Sequence, residues 1–431
     1  MPASRDPSAA RSVAIAAPDA VRLAELPPLS LYVHLPWCLR KCPYCDFNSH
    51  EARGAIPEDA YVDALVADLE ASLPKVWGRR VHTIFIGGGT PSLFTPAAIE
   101  RLLVAVRTRL PVDPEAEVTL EANPGTFEAE RFRAYRAAGV NRLSLGVQSF
   151  SDTKLAAIGR VHGADEARRA LACALETFPT VNADLMYALP DQSIDEALAD
   201  IREAAALGAP HISAYHLTLE PGTRFHREPP PLPADDEAAD MQDAIEALLA
   251  AEGFGHYEVS AFARQGHRAR HNVNYWTFGD YLGIGAGAHG KLSFRDRIVR
   301  ESRIRNPQAY IAAAKPEGAI AEMHEVAASE LPFEFMLNAL RLVDGVDAAL
   351  FTQRTGLPIT AVARELERAR VEGLLEDDAL RIRPTPHGQR FLNELIERFL
   401  PAPAKAPRAP PSVELPRSPI SIYPPGTPSR P

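Results

Sequence analysis

Six short apolar runs alternate with helical patterns through the first half of the chain, and this rhythm restricts the fold more than any other feature. The runs are 29–35, 81–87, 117–122, 141–147, 180–187 and 211–217, and the helical patterns between them are 58–73, 96–109, 127–138, 164–177 and 194–207. Strands alternating with helices build βα units on a parallel sheet. Six such units predict an α/β fold, a partial (β/α)6 TIM-like barrel rather than a closed eightfold one. The unusual segments fall just after the strands: a cysteine trio, GGGTP, EANPG, QSF and ALPDQ. Ligands of parallel α/β folds bind there, at the C-terminal ends of strands.

The rest of the chain is organised around that barrel. Residues 1–27 read as a disordered leader, because Pro18 and Asp19 break the apolar run that follows Arg5 and Arg11 and leave a poor signal peptide. The barrel is expected over 28–252, with a loop at 227–237 and a helix at 237–252. Residues 253–325, rich in Gly, His and aromatics at their start, form an extension of it. Helical segments at 330–342, 359–375 and 387–399 with a strand-like 381–385 predict a mainly helical, winged-helix-like domain over 326–400. The Pro-dense 401–431 reads as a disordered tail.

A net charge of −10 gives no global pull toward nucleic acid, and none is expected as a partner. No apolar run reaches the ~18 residues of a membrane span. Only four cysteines occur, too few and too clustered for a disulfide framework. A reducing, cytoplasmic setting follows as the expectation. Cys173 sits in a helical run and reads as a core residue.

The other three cysteines lie in YVHLPWCLRKCPYCDFNSH, as Cys38, Cys42 and Cys45. This C-x3-C-x2-C spacing on a loop after a strand can ligate three irons of a cubane [4Fe–4S] cluster. Electron-transfer clusters use four cysteines. With no fourth nearby, one iron stays open to a chelating amine and carboxylate, such as those of S-adenosylmethionine. A zinc site completed by His34 or His50 is the alternative.

The spacing, with Tyr44 before the last cysteine, resembles the radical SAM superfamily motif, and GGGTP at 87–91 resembles that superfamily's second element. The wider text, over about 28–400, resembles the oxygen-independent coproporphyrinogen III oxidase family, including its HemW haem-chaperone branch. The resemblance implies a radical SAM barrel with cofactor contacts at Tyr32, Tyr44, Gly88, Gly89, Thr90, Glu121, Gln148, Arg160 and Asp184. Glu121 or Asp184 can accept hydrogen bonds from ribose hydroxyls or an amine, and Arg160 can pair with a carboxylate as a planar fork. Each residue taken alone also fits a surface or capping role.

Two features separate the branches of the family. The oxidases continue past the third cluster cysteine with x-Cys, where this chain has Asp46-Phe47, as HemW does. HNVNYW at 271–276 resembles the H-N-x-x-Y-W element linked with haem binding in HemW. His271 can offer an imidazole to haem iron, with Tyr275 and Trp276 as flat faces for a porphyrin; His256 and His289 are nearby alternatives. A core role for all three motif residues is the structural alternative. The resemblance implies a haem chaperone without coproporphyrinogen oxidase activity. The cofactors so implied are a [4Fe–4S] cluster and S-adenosylmethionine, and the implied partners are haem and haem-accepting client proteins, respiratory ones among them, with peripheral membrane contact through such clients. The oxidase itself, and a radical enzyme acting on another substrate, are the alternative functions.

Overall fold

All six expected strands form: β1 (Leu29–Leu35), β2 (Val81–Gly88), β3 (Val112–Ala122), β4 (Arg142–Gln148), β5 (Thr180–Tyr187) and β6 (His211–His216). The computed structural model describes residues 21–126, 129–314 and 319–401. Helices α1 (Glu58–Val76), α2 (Pro96–Arg109), α3 (Ala129–Ala138), α4 (Ala164–Thr177), α5 (Ile194–Ala206) and α6 (Asp235–Ala251) follow the strands in turn. Their starts are written locally. Thr95 caps α2 through the Ala98 N–H with Pro96 at the first turn, and Ser193 and Glu196 form a capping box on α5, each satisfying donors that a helix end leaves open. Helix α1 ends two residues past Pro74, whose ring removes a backbone bond and crowds the carbonyl four residues before it.

β1 to β6 pair in parallel in sequence order. Along these strands alternate side chains take opposite faces. Leu29, Leu31, Val33 and Leu35 of β1, and Leu143, Leu145 and Val147 of β4, join the core beneath the helices, each burial worth about 1.5–3 kcal/mol. The other face, toward the barrel interior, is polar. β4 presents Arg142, Ser144 and Gln148 to it, β5 presents Asn182 and Asp184, and β6 presents His211, Ser213 and Tyr215.

The extension completes the sheet. It supplies β7 (Gly255–Glu258), β8 (Ala261–Ala263), helix α7 (Arg270–Trp276), β9 (Asp280–Ile284), β10 (His289–Ser293), β11 (Ile298–Arg303) and β12 (Ile320–Glu325). β9 pairs in parallel with β1, giving a seventh parallel strand that the sequence rhythm did not announce. The full order is β12-β11-β10-β9-β1-β2-β3-β4-β5-β6-β8-β7, with antiparallel strands flanking the parallel set. Buried ions tie the extension to α1. Arg303 meets Asp68 at 2.9 Å and Glu301 at 3.0 Å, and Lys75 meets Glu301 at 2.6 Å.

A second hydrophobic core gathers Phe278, Ile298, Phe335, Phe351, Leu366 and Leu395 among others. Helices Leu331–Ala339, Ala349–Thr355, Ala363–Val371, Pro386–Arg390 and Leu392–Glu397 surround it, with a two-stranded ribbon of Val346–Asp347 and Arg381–Ile382 as the wing. The helices are shorter than their apolar patterns suggest, and the last one breaks at Phe391, whose φ of −107° and ψ of 39° are not helical. Leu23 is buried in this core and its N–H donates to the Arg295 carbonyl at 3.0 Å. Residues 21–27 are therefore docked, so the expected leader to 27 is corrected there by a buried leucine. Its first twenty residues, and 402–431 of the expected tail, lie outside the described residues. Cys173 is half-buried on α4, packed against the main core.

Candidate functional site

Cys38, Cys42 and Cys45 line one cavity of about 340 Å³ at the C-terminal ends of the parallel strands. The loop that carries them is fastened at several points. Cys45 N–H donates to the Cys42 carbonyl at 3.2 Å, and His50 N–H donates to Pro36 at 2.7 Å. Lys41 reaches the Phe47 carbonyl at 3.0 Å. Each sulfur has a polar neighbour: Thr90 Oγ1 lies 3.6 Å from Cys38, Arg160 Nη1 3.7 Å from Cys42 and Ser49 Oγ 3.8 Å from Cys45. Burial, opposed by the Thr90 hydrogen bond, pushes the Cys38 thiol up, and burial likewise pushes up Cys45. Free thiols there keep their protons at neutral pH, so metal binding must release them.

The glycine loop closes over the cysteine loop. Gly89 N–H donates to Leu35 at 2.8 Å and Thr90 N–H to Trp37 at 2.7 Å, and Gly88 has a φ of +120°, which favours glycine. Glu121 Oε2 accepts the Gly88 N–H at 3.0 Å. Asp184 accepts Ser144 Oγ at 3.0 Å and Asn182 Nδ2 at 2.7 Å. Gln148 sits at φ +69°, the centre of a tight turn in which Ser149 N–H donates to Val147 at 2.9 Å. A left-handed glutamine is strained backbone of the kind that clusters at functional sites. Buried Asp200 holds it there, accepting Ser149 Oγ and Phe150 N–H, each at 2.7 Å. Arg160 Nη2 donates to Gly146 at 2.7 Å, and its buried Nε has no partner among the described residues.

Of the residues singled out from the sequence, Cys38, Cys42, Cys45, Tyr44, Gly88, Gly89, Thr90, Glu121, Gln148, Arg160 and Asp184 all line this cavity. Tyr32 does not. It lines a neighbouring cavity, and its hydroxyl meets His34 Nδ1 at 2.8 Å. His271 lines neither. It is 1% exposed, with Nδ1 2.8 Å from Thr83 Oγ1 and Nε2 3.0 Å from Tyr275 Oη. Burial, with Arg142 adding to it, lowers its pKa to about 3. It is a buried imidazole with both ring nitrogens engaged, away from the lining of either cavity. Trp276 packs against the second core under the Arg341 guanidinium, 4.4 Å from the ring centre. Of those three, Tyr275 lines the neighbouring cavity. Sequence reading passed over Arg142, Asn182, His211, Ser213 and Tyr215, which line the cysteine cavity. Their period-two polar spacing inside apolar strands was the available signal.

Glu121 gives this site a pH signature. Burial, reinforced by Asp184 and opposed by the Gly88 N–H, pushes its carboxyl up to about 7. The folded chain then holds a proton that the unfolded chain releases above its ordinary value of about 4.3. The stability this carboxyl contributes is full below the unfolded value and is lost as pH rises to about 7. The unfolding free energy of the cofactor-free chain, from urea titration, is expected to fall across that window by on the order of 3 kcal/mol for this group, and Glu121→Gln to flatten the slope. An unchanged slope in Glu121→Gln removes Glu121 as its source.

Comparison with known proteins agrees with this geometry. Residues 32–204 match the family model described as the radical SAM superfamily, and 326–391 match that of the HemN C-terminal domain. A heme chaperone HemW of Escherichia coli (strain K12) is 49% identical over 383 residues, 88% of this chain and 100% of the relative. The chain belongs to the HemW family. A HemW of Mycobacterium tuberculosis (strain ATCC 25618 / H37Rv) is 37% identical over 395 residues, 88% of this chain and 97% of the relative. The solved structure of coproporphyrinogen III oxidase (HemN) from Escherichia coli, described as a radical SAM enzyme, superposes with a TM-score of 0.74 at 23% identity, covering 87% of this chain and 90% of that one. The partial barrel is thus the fold of a radical SAM protein.

The residues present fit a [4Fe–4S] cluster. Three thiols face one cavity, none of its other lining residues is a cysteine, and the guanidinium and hydroxyl beside the sulfurs can donate to thiolates. Of the histidines a zinc site would need, His34 has both nitrogens engaged, by Tyr32 and by the Asn48 carbonyl at 2.9 Å, and His50 Nε2 meets Asn48 Oδ1 at 3.3 Å. Among the described residues no three His, Cys, Asp or Glu side chains gather as they would around a single metal ion. The cavity also fits S-adenosylmethionine, with half-buried acceptors at Glu121 and Asp184 and the spare Nε donor of Arg160.

Proposed function

We propose that this chain is a radical SAM-type haem chaperone: it holds a [4Fe–4S] cluster on Cys38, Cys42 and Cys45, S-adenosylmethionine beside the cluster, and haem, which it delivers to haem-requiring proteins, respiratory ones among them. One observation carries the reading: the three thiols share a cavity with half-buried acid and guanidinium groups, in a chain that matches a heme chaperone HemW over that relative's whole length.

Each group has a task in that reading. The backbone of Gly88 and Gly89 leaves room for the amino-acid end of S-adenosylmethionine. Arg160, already against Cys42, pairs with its carboxylate. Glu121 and Asp184 accept hydrogen bonds from its amine and ribose, and the charged amine favours the deprotonated Glu121. When bound, the reduced cluster and S-adenosylmethionine supply one-electron chemistry, to which the protein adds position and shielding. Phe47, 61% exposed, lines both neighbouring cavities at the place where the oxidases carry a cysteine, and it offers porphyrin an apolar face instead of a thiol.

Anaerobic reconstitution of the purified chain is the test. About four irons per chain and a charge-transfer absorbance are expected, and both are expected to vanish when Cys38, Cys42 and Cys45 are replaced together by alanine. Haem added to the reconstituted chain is expected to bind stoichiometrically with a shifted Soret band. Cluster absorbance that survives in the triple variant defeats the ligand assignment. Failure to bind haem defeats the chaperone reading, and conversion of coproporphyrinogen III to protoporphyrinogen IX replaces it with the oxidase.

A further inference from the structure

A second cavity, of about 440 Å³, adjoins the cysteine cavity on the β1–β9 side and shares Phe47, Phe85, Gly88 and Glu121 with it. Its volume lies in the range of small-molecule sites, ~300–1,000 Å³. Aromatic rings dominate its walls. Tyr32 stacks on Phe85 with centroids 6.2 Å apart, and Tyr275 meets Tyr281 edge-on at 4.5 Å. The rings are braced from behind: His271 holds the Tyr275 hydroxyl, and Arg300 donates to Tyr281 Oη at 2.7 Å.

Three histidines line the two cavities, and they differ in one respect. His211 has both nitrogens bonded, to Asn182 at 2.6 Å and to Tyr257 at 2.8 Å. His34 likewise has both bonded. His289, at the start of β10, is exposed at the wall of the second cavity, and its ring has no hydrogen-bond partner among the described residues. Burial first, then Arg300 and Arg305, against Glu322, lower its pKa, so the imidazole is neutral and able to bind a metal. Arg305 also lines this cavity, is exposed, and has no partner for its guanidinium among the described residues. A flat aromatic chamber, one unengaged imidazole and one unpaired cation match the three chemistries of haem: its ring, its iron and its carboxylates.

We propose that haem binds in this second cavity, with the His289 imidazole on its iron and the Arg305 guanidinium on a propionate. The H-N-x-x-Y-W element then serves haem through Tyr275, which His271 orients, rather than through an iron–His271 bond. The proposal rests on the haem-chaperone reading and assigns the place of its cargo.

Ferric haem titrated into the full-length chain tests it, read by the Soret band and by the paramagnetic resonance signature of histidine-ligated iron. The wild-type chain is expected to bind haem with that signature. His289→Ala is expected to bind about tenfold more weakly or worse, to lose the signature, and to regain it with free imidazole. Arg305→Glu is expected to weaken haem similarly, keep the signature, and lose less with haem whose propionates are esterified. His271→Asn, checked for folding by circular dichroism, is expected to keep the signature. If the wild-type chain binds no haem, the chaperone reading itself falls. If the wild-type chain binds and His289→Ala binds equally well with the signature intact, or is not rescued by imidazole, this assignment alone falls.

Discussion

Arg303→Met is expected to lower the unfolding free energy by about 3–5 kcal/mol, the cost of leaving buried charges unpaired. Arg303 and Asp68 are fully buried and Glu301 is 2% exposed. The guanidinium satisfies three groups at once: Asp68 at 2.9 Å, Glu301 at 3.0 Å and Ser72 Oγ at 3.1 Å. Tyr310 adds a hydroxyl to Asp68 at 2.8 Å. Methionine fills similar volume but strips both carboxylates of their main counter-charge, and Lys75 reaches only Glu301. Such a loss is a large part of the roughly 5–15 kcal/mol that holds a typical domain together. Urea unfolding followed by circular dichroism measures it. Restoring neutrality with Asp68→Asn in the same chain is expected to recover part of the loss. A change below about 1 kcal/mol in Arg303→Met would show that water or a neighbour replaces the guanidinium, contrary to this account.

Gly89→Ala is expected to reduce iron incorporation at least severalfold while leaving most of the helical signal. A Cβ at Gly89 would stand 2.5 Å from the Trp37 carbonyl oxygen and 2.8 Å from its carbon. Both are backbone atoms next to Cys38, so no side chain can swing aside. The strain is relieved only by parting the glycine loop from the cysteine loop, which breaks the 2.7 Å bond from Thr90 N–H to Trp37 and moves Cys38 relative to Cys42. Overpacking of this kind costs about 1–3 kcal/mol, too little to unfold a barrel but enough to misplace one of three ligands. Iron analysis after reconstitution, set beside the melting curve, separates the two effects. Full iron content in Gly89→Ala would show that the loops do not need this close approach.

Much of this architecture was written in local pattern. β1 to β6 are apolar on the face beneath the helices, and their helices carry their own caps, so strand and helix boundaries differed from expectation by only a few residues at most sites. β3 was the exception. It starts at Val112 rather than 117 because a register shift between its pairings with Val81 and Thr83 absorbs Pro114. The cysteine, glycine and strand-end residues were found because each ends a strand whose position was already clear. What the text hid was long-range. β9 is five residues inside a glycine-rich stretch, too short to show a period, and it becomes a strand only because β1 offers it an edge. H-N-x-x-Y-W looked like a ligand motif with its histidine in front; only packing shows that Thr83 and Tyr275 consume that histidine. His289 stood out less in the sequence because being unengaged is a property of its surroundings.

The place of β1 in the sheet has a consequence for how the protein is made. Strand β1 lies between β2 and β9, so one of its edges has no parallel partner until residues 280–284 have been synthesised. At ~5–20 residues per second that interval is roughly 12–50 s. Throughout it, the nascent barrel carries an uncovered strand edge beside its cysteine loop, a template for mispairing, and lacks His289 and the β9 wall of the second chamber. Completion of the second chamber is thereby a late event in the life of the chain, reached only after the last parallel strand has docked.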